Sequence, residues 1–383
     1  MSSSDFARAG TFVGRVWDPK VEGPLLVAVR GNDIIDITSK TVPTMRDLLE
    51  LDDPAAYVAK ATGPVVATLA DLLAAEAGAL DTAALHLIAP NDLQSVKACG
   101  VTFARSMIER VIEERAAGNP ELALKIREKV TEIIGDSLRN LKAGSPEAAK
   151  VKEALIEEGV WSQYLEVGIG PDAEVFSKAQ VLSSVGYAAD VGLHPISKWN
   201  NPEPEIVLAV NSKGVVQGAT LGNDVNLRDV EGRSALLLGK AKDNNASCSI
   251  GPFIRLFDAS YSIDDVRNAD LSLTVEGEDG FVLHGKSSMK EISRDPLDLV
   301  SQTIGRHHQY PDGFMLFMGT LFAPTEDRDT KGQGFTHKVG DIVTISNDLL
   351  GALTNRVRLS TECALWTFGA SKLMRNLAAR QLI

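Results

Sequence analysis

The sequence predicts an α+β protein with a mixed, strand-rich core, a small N-terminal α+β domain and a helical insertion. Three observations predict this class: short strand-like runs dominate the C-terminal half, strands and helices do not alternate regularly, and one long stretch is dense in Glu, Lys and Arg. The irregular order argues against a doubly wound sheet or an α/β barrel. We place the N-terminal domain at residues 1–95, the larger domain at 96–383 and the insertion at about 106–160.

The N-terminal domain begins with strand signals and continues with helical ones. Gly31-Asn32-Asp33 lies between two apolar runs and predicts a hairpin turn. The predicted strands are residues 11–17, 25–30, 34–38 and 85–90, and the predicted short helices are 44–51 and 54–61.

The insertion and the C-terminal half differ in pattern. The dense Glu, Lys and Arg of the insertion predict solvated, exposed helices. Two breaks divide this charged region, at Gly118-Asn119-Pro120 and at Gly144-Ser145-Pro146. After it the predicted strands are residues 206–210, 269–275, 281–284, 314–321 and 342–346, and one predicted helix covers about 296–305.

The composition narrows the class of partner and the compartment. The net charge of -12 argues against a nucleic-acid or anionic membrane partner. The three cysteines have no metal-ligand spacing, and an odd number cannot all pair, which favours a reducing compartment. The N-terminus is polar and lacks an apolar signal region, so we expect a cytoplasmic protein.

An acidic hairpin is the strongest candidate site. Glu203 and Glu205 are two residues apart at the start of an apolar strand, so they share one face, and Asp224 follows the return strand. Three carboxylates form an all-oxygen site for Mg²⁺ or Mn²⁺. The alternative is a pair of solvated glutamates on an edge strand beside an Asx turn.

The register of that hairpin follows from its turn. Symmetric closure on Lys213 pairs Glu205 with Leu221, and by the same count it pairs Glu203 with Asn223. This register is uncertain by one residue, and a bulge at Gly222 would re-aim Asp224.

An ordered series of motifs resembles the fumarylacetoacetate hydrolase superfamily over roughly residue 97 to the end. The motifs are Glu203-Pro-Glu205, residues 223–229, Gly239-Lys240, Gly251-Pro252, Gly319-Thr320, Asp341 within residues 339–343, and residues 353–357. The resemblance implies a β-rich catalytic domain with Mg²⁺ held by Glu203, Glu205 and Asp224. It also implies Lys240 as the active-site lysine, substrates among 2-oxo acids or 1,3-diketones, and a homodimer or homotetramer.

One departure from the family pattern bears on the reaction. Carbon–carbon hydrolases of this family usually carry a His that activates water, followed three residues later by Glu; here Ser106 stands at the His position and Glu109 matches the Glu. Without that imidazole, hydrolysis lacks an obvious base. The pattern is similar to the branch that dehydrates 2-keto-3-deoxy sugar acids.

The resemblance therefore implies Mg²⁺-dependent dehydration of a 2-keto-3-deoxy-pentonate, such as 2-keto-3-deoxy-D-xylonate, to 2,5-dioxopentanoate. Two alternatives stay open: hydrolysis of an acylpyruvate or diketo sugar acid, and a non-catalytic 2-oxo acid sensor.

The remaining candidates each have a structural alternative. Glu109 is an acid or base, or an ordinary residue at a helix N-terminus. Arg228 orients the substrate or pairs with Asp229, and either His307 or His308 enters the pocket. The predicted catalytic residues are Lys240, Glu109 and Ser106, and the predicted substrate-binding residues are Arg228, Asp243, His308, Thr320 and Phe103.

Overall fold

The structure is a computed structural model that describes residues 10–103, 141–157, 159, 161–321, 326–329 and 334–383. The strands are β1 (Phe12–Asp18), β2 (Gly23–Arg30), β3 (Asp33–Asp36), β4 (Val65–Thr68), β5 (His86–Ile88), β6 (Ser95–Gly100), β7 (Glu174–Ala179), β8 (Asp190–Leu193), β9 (Pro204–Val210), β10 (Val216–Asp224), β11 (Cys248–Leu256), β12 (Asp270–Glu276), β13 (Val282–Ser288), β14 (Phe314–Phe317), β15 (Ile342–Asn347) and β16 (Gly351–Leu359).

The α-helices are α1 (Met45–Leu49), α2 (Pro54–Lys60), α3 (Leu69–Leu73), α4 (Pro146–Glu157), α5 (Gln163–Ile169), α6 (Arg228–Glu231), α7 (Leu238–Lys242), α8 (Ile263–Arg267), α9 (Pro296–Thr303) and α10 (Ala370–Ala379), and the 3-10 helices are Ala235–Leu237 and Met289–Glu291. In the part of the chain that is described, none of the helices has the length and apolar composition needed to cross a membrane.

One large mixed sheet carries the acidic hairpin. Its strand order is β4-β3-β2-β1-β11-β10-β9-β14-β6-β7, with β5 paired to β1. β1 pairs antiparallel with β11, with Val13 opposite Ile254, so the N-terminal strands extend the sheet that contains β9 and β10. The domain boundary at residue 95 stays a prediction.

A second sheet of five strands has the order β13-β12-β15-β16-β8. β12, β13, β15 and β16 pair antiparallel, whereas β8 runs parallel to β16. Parallel and antiparallel pairs thus occur in both sheets, with helices between and around them. This architecture confirms the predicted α+β, strand-rich class.

Strand β9 is buried along its whole length. Ile206 and Leu208 belong to the apolar core that also contains β12 residues such as Leu273. Val207 and Ala209 belong to a different core, shared with residues of α1 and α2. Each fully buried aliphatic side chain of this kind contributes roughly 1.5–3 kcal/mol, which makes β9 a firm platform for the residues at its start.

Several local predictions are confirmed. The β2–β3 hairpin turns at Gly31, whose φ of 62° suits glycine. Helix α1 begins after Thr44, whose side chain accepts a hydrogen bond from the Asp47 N–H, and α2 begins after Asp53 with Pro54 in its first turn. Helix α10 was not predicted. Residues 104–140 of the insertion lie outside the described residues, and α4 forms part of its remainder.

Candidate metal centre

A bulge in the β9–β10 hairpin determines where Asp224 lies. Val216 pairs with Val210, but Gly218 pairs with Ala209, so the register shifts by one residue between Val216 and Gly218. The register predicted by closure on Lys213 holds before this bulge and is wrong by one residue after it. A bulge at Gly222 was the open alternative, and in the β9–β10 pairing the bulge lies earlier, between Val216 and Gly218.

The shift places all three carboxylates on one side of the hairpin. Glu205 lies opposite Gly222, and the Asp224 N–H donates to the Glu203 carbonyl over 3.1 Å. Directly opposed residues share a face, whereas a one-residue slip sends a side chain to the other face. Without the bulge, Asp224 would point away from the two glutamates.

The three carboxylates are close together and buried. One ligand oxygen from each of Glu203, Glu205 and Asp224 lies within 4.8 Å of the others, and their exposed fractions are 6%, 1% and 1%. Burial raises the pKa of Glu205 well above its usual value, and the charges of Asp224 and Glu203 raise it further. The cluster therefore concentrates negative charge that needs compensation.

Lys242 provides part of that compensation. Its Nζ lies 2.6 Å from Glu203 Oε2 and 3.0 Å from Asp224 Oδ2. Burial by itself lowers the pKa of Lys242, but the carboxylates of Asp224 and Glu203 outweigh burial and hold the pKa above its ordinary value. Lys242 is thus an ammonium held by two of the three carboxylates.

Lys178, in β7, approaches Asp224 from a different strand. Its side chain has no exposed surface, and its Nζ lies 2.9 Å from Asp224 Oδ1. The same Nζ donates to the carbonyls of Val225 and Lys242. Sequence reasoning missed Lys178, although strand alternation puts it on the same face as Phe176, where a lysine is unusual.

Glu205 is held by the loop after β14. The Gly319 N–H donates to Glu205 Oε2 over 2.6 Å. Gly319 has a φ of 84°, and a Cβ there would lie 2.2 Å from Thr102 Oγ1, so this loop needs glycine. Thr320 follows and is half-buried.

The lysine at the carboxylates is Lys242, whereas the sequence predicted Lys240 as the active-site lysine. Lys240 is exposed, and Lys242, two residues later in α7, is buried. Positions two apart in a helix point to nearly opposite sides, so only one of these lysines can face the carboxylates. Ala241 and Lys242 lie on the buried side, and this helical pattern was the signal available in the sequence.

The other predicted site residues lie in different environments. Arg228 stacks on Trp199, with its guanidinium carbon 4.2 Å from the ring centroid. Asp243 accepts a hydrogen bond from Gln180 Nε2 over 2.9 Å. Phe103 is buried in the core between the sheets, and the side chains of His307 and His308 are exposed. Ser106 and Glu109 lie outside the described residues.

The chemistry of the centre fits a hard divalent cation. With all three carboxylates ionised, as they would be around a cation, the ammonium groups of Lys178 and Lys242 offset two of the three negative charges. Carboxylate oxygens are the preferred ligands of Mg²⁺, which also keeps positions for water or substrate oxygens. Glu203, Glu205 and Asp224 are the residues that would hold it.

Residues 199–358, which contain the three carboxylates and Lys242, match the fumarylacetoacetate (FAA) hydrolase C-terminal family. A probable 2-keto-3-deoxyxylonate dehydratase of Haloferax volcanii is 30% identical over 201 residues, covering 52% of this chain and 65% of that protein. A 2-dehydro-3-deoxy-D-arabinonate dehydratase of Saccharolobus solfataricus is 29% identical over 188 residues, covering 48% of this chain and 58% of that protein. The matches thus span less than two thirds of either relative.

A solved structure has the same fold. A 2-keto-3-deoxy-D-arabinonate dehydratase complexed with magnesium and 2,5-dioxopentanoate superposes with a TM-score of 0.63 at 20% identity. The match covers 91% of this chain and 99% of that chain. At this identity the likeness shows the fold.

Proposed function

Because this chain carries a fumarylacetoacetate hydrolase superfamily domain over residues 199–358, we propose that it is a Mg²⁺-dependent dehydratase that converts a 2-keto-3-deoxy-D-pentonate to 2,5-dioxopentanoate and water. Mn²⁺ is the expected substitute for Mg²⁺. The observation that carries the proposal is the buried triad of Glu203, Glu205 and Asp224 with Lys242 bound to two of its members.

The names of the two relatives support a single substrate. In a 2-keto-3-deoxy-pentonate, C2 is a ketone and C3 a methylene, so C4 is the sole stereocentre. D-Xylonate and D-arabinonate have the same configuration at C4, and their 2-keto-3-deoxy derivatives are one compound. The D-arabinonate name of one relative and a D-configured xylonate in the other would therefore denote the same acid that we propose for this chain.

The reaction needs proton transfers and control of charge. Loss of a proton from C3 and of the hydroxyl from C4, with a proton, releases water and leaves an unsaturated 2-oxo acid. Moving a proton from C5 to C3 then gives the enol of the C5 aldehyde, and loss of the enol O–H proton with protonation of C4 gives 2,5-dioxopentanoate. Mg²⁺ held by Glu203, Glu205 and Asp224 would supply Lewis-acid stabilisation of the negative charge that develops at the C2 oxygen.

The lysines have separate roles in this proposal. We reassign the active-site role from Lys240 to Lys242, whose ammonium lies at the carboxylates and adds positive charge beside the reacting acid. Lys178 orients Asp224, since its Nζ is occupied by Asp224 and by backbone carbonyls. The acid and base roles of Ser106 and Glu109 stay predictions.

The compartment, the assembly and the substrate contacts complete the proposal. The three cysteines are free and buried, which supports a reducing compartment such as the cytoplasm. We propose a homodimer or homotetramer from the family resemblance, and the substrate-binding roles of Arg228, Asp243, His308, Thr320 and Phe103 on the same basis. The division at residue 95 belongs to the proposal as well.

A defined substrate tests the function. Purified protein with Mg²⁺ and 2-keto-3-deoxy-D-xylonate should produce 2,5-dioxopentanoate, identified by NMR, while its enantiomer at C4 and an EDTA-treated sample serve as controls. The appearance of pyruvate with a two-carbon aldehyde, or no conversion with Mg²⁺ present, would refute a dehydratase. Binding without turnover would favour the sensor.

A further inference from the structure

Asn226 joins the metal centre to a fourth carboxylate. Its Nδ2 donates to Glu203 Oε1 over 3.0 Å and to Glu231 Oε2 over 2.8 Å. An amide nitrogen carries two protons, so these two contacts use both. Asn226 is fully buried, whereas Glu231 is half-buried at the end of α6.

The backbone fixes Asn226 in this position. Asn201 and Asn226 form an antiparallel bridge, with N–O distances of 3.1 Å and 3.0 Å for its two hydrogen bonds. Asn201 and Asn226 each lie two residues beyond Glu203 and Asp224, which face each other, so the bridge keeps the same strand register. Residues two apart share a face, so the Asn226 amide projects on the side that carries Asp224.

Glu231 decides which way the Asn226 amide points. With the amide reversed, Asn226 Oδ1 would face a carboxylate oxygen of Glu203 and one of Glu231. Each contact would then join two acceptor oxygens in place of a donor and an acceptor. The observed orientation gives Glu203 a donor at Oε1, while Lys242 Nζ occupies Oε2. Both oxygens of this predicted metal ligand are therefore fixed by hydrogen bonds.

We propose that Glu231 is a positioning residue for the metal centre, acting through the Asn226 amide to fix the carboxylate of Glu203 for the cation. The inference rests on the proposed function, because it requires that the triad binds a divalent cation. Partners that orient the ligands of a metal typically change metal affinity or activity by about 10–100-fold when removed.

Two substitutions separate the hydrogen bond of Glu231 from its charge. Glu231→Ala removes the acceptor, whereas Glu231→Gln keeps an oxygen that accepts from Asn226 Nδ2. Isothermal titration of the full chain with Mg²⁺ should show about 10–100-fold weaker binding for Glu231→Ala and binding within about threefold of the wild type for Glu231→Gln. Glu276→Gln, at an exposed position in the second sheet, is the matched control and should bind like the wild type.

The outcomes of this titration are distinguishable. If the wild type does not bind Mg²⁺, both the proposed function and this inference fail. If the wild type binds but Glu231→Ala binds equally well, or Glu231→Gln is as weak as Glu231→Ala, the inference fails by itself. If thermal melting shows that Glu231→Ala is unfolded, Glu231→Met takes the place of Glu231→Ala in the same comparison, because Met keeps the length of the side chain.

Discussion

The ammonium of Lys178 lies 2.9 Å from Asp224 Oδ1 at a position with no exposed surface. A buried ion pair of this kind becomes costly when one partner is removed, because the other charge is left without compensation. The pair therefore joins β7 to the end of β10 and holds Asp224 in the centre.

Lys178→Met should lower the free energy of unfolding of the metal-free protein, by at most about 3–5 kcal/mol, because Asp224 loses one of its two buried ammonium partners and keeps only Lys242. Mg²⁺ should restore part of this loss by neutralising the triad. Urea denaturation at pH 7, with EDTA and then with Mg²⁺, measures both effects. A metal-free variant as stable as the wild type would contradict this role for Lys178.

Lys242→Met and Lys240→Met should differ strongly. Lys242 contacts two carboxylates of the centre, so its loss should reduce kcat by about 100-fold or more, in the range of a lost acid, base or charge partner. Lys240 is exposed, and its loss should change kcat by no more than about threefold. Steady-state rates of aldehyde formation compare the two, and the reverse order would restore Lys240 as the active-site lysine.

Glu205→Gln should stabilise the metal-free protein and abolish its response to Mg²⁺. The variant removes a charge that burial, Asp224 and Glu203 all disfavour, and its amide oxygen still accepts from the Gly319 N–H. Wild-type protein should gain about 2.7 kcal/mol at a Mg²⁺ concentration 100 times Kd. Unfolding curves with and without Mg²⁺ test this, and an unchanged Mg²⁺ response in the variant would argue against Glu205 as a ligand.

His337 should make stability fall in mild acid. Burial lowers the pKa of His337, and Arg328 adds to this, although Asp341 at 3.3 Å opposes it. Because the pKa of His337 is lower in the folded than in the unfolded protein, its contribution to the free energy of unfolding is complete above the unfolded pKa of about 6.5. That contribution is lost as the pH falls through the folded pKa.

His337→Gln should therefore flatten the decline in the free energy of unfolding below about pH 6.5, and each proton no longer taken up on unfolding changes the slope by about 1.36 kcal/mol per pH unit. Denaturation across pH 7.5 to about 5 measures it, with His284→Gln, at an exposed position, as the control. Parallel pH profiles for His337→Gln and the wild type would rule out His337 as the source.

Local patterns in the sequence predicted much of the fold. Apolar runs and the Gly31 turn identified the β2–β3 hairpin, and helical patterns near Thr44 and Pro54 located α1 and α2. Long-range pairings, such as β1 with β11 and β14 with β6, were not predicted, because nothing in a strand's own residues specifies a distant partner.

The metal centre shows the same division. The sequence by itself determined that Glu203 and Glu205 share a face, because strand residues alternate with a period of two. Tertiary structure decided the rest: the bulge after Val216 turned Asp224 toward them, and helix phase selected Lys242 over Lys240. Lys178 reached the site only because β7 packs beside it, and packing between distant segments depends on the whole fold rather than on any local period.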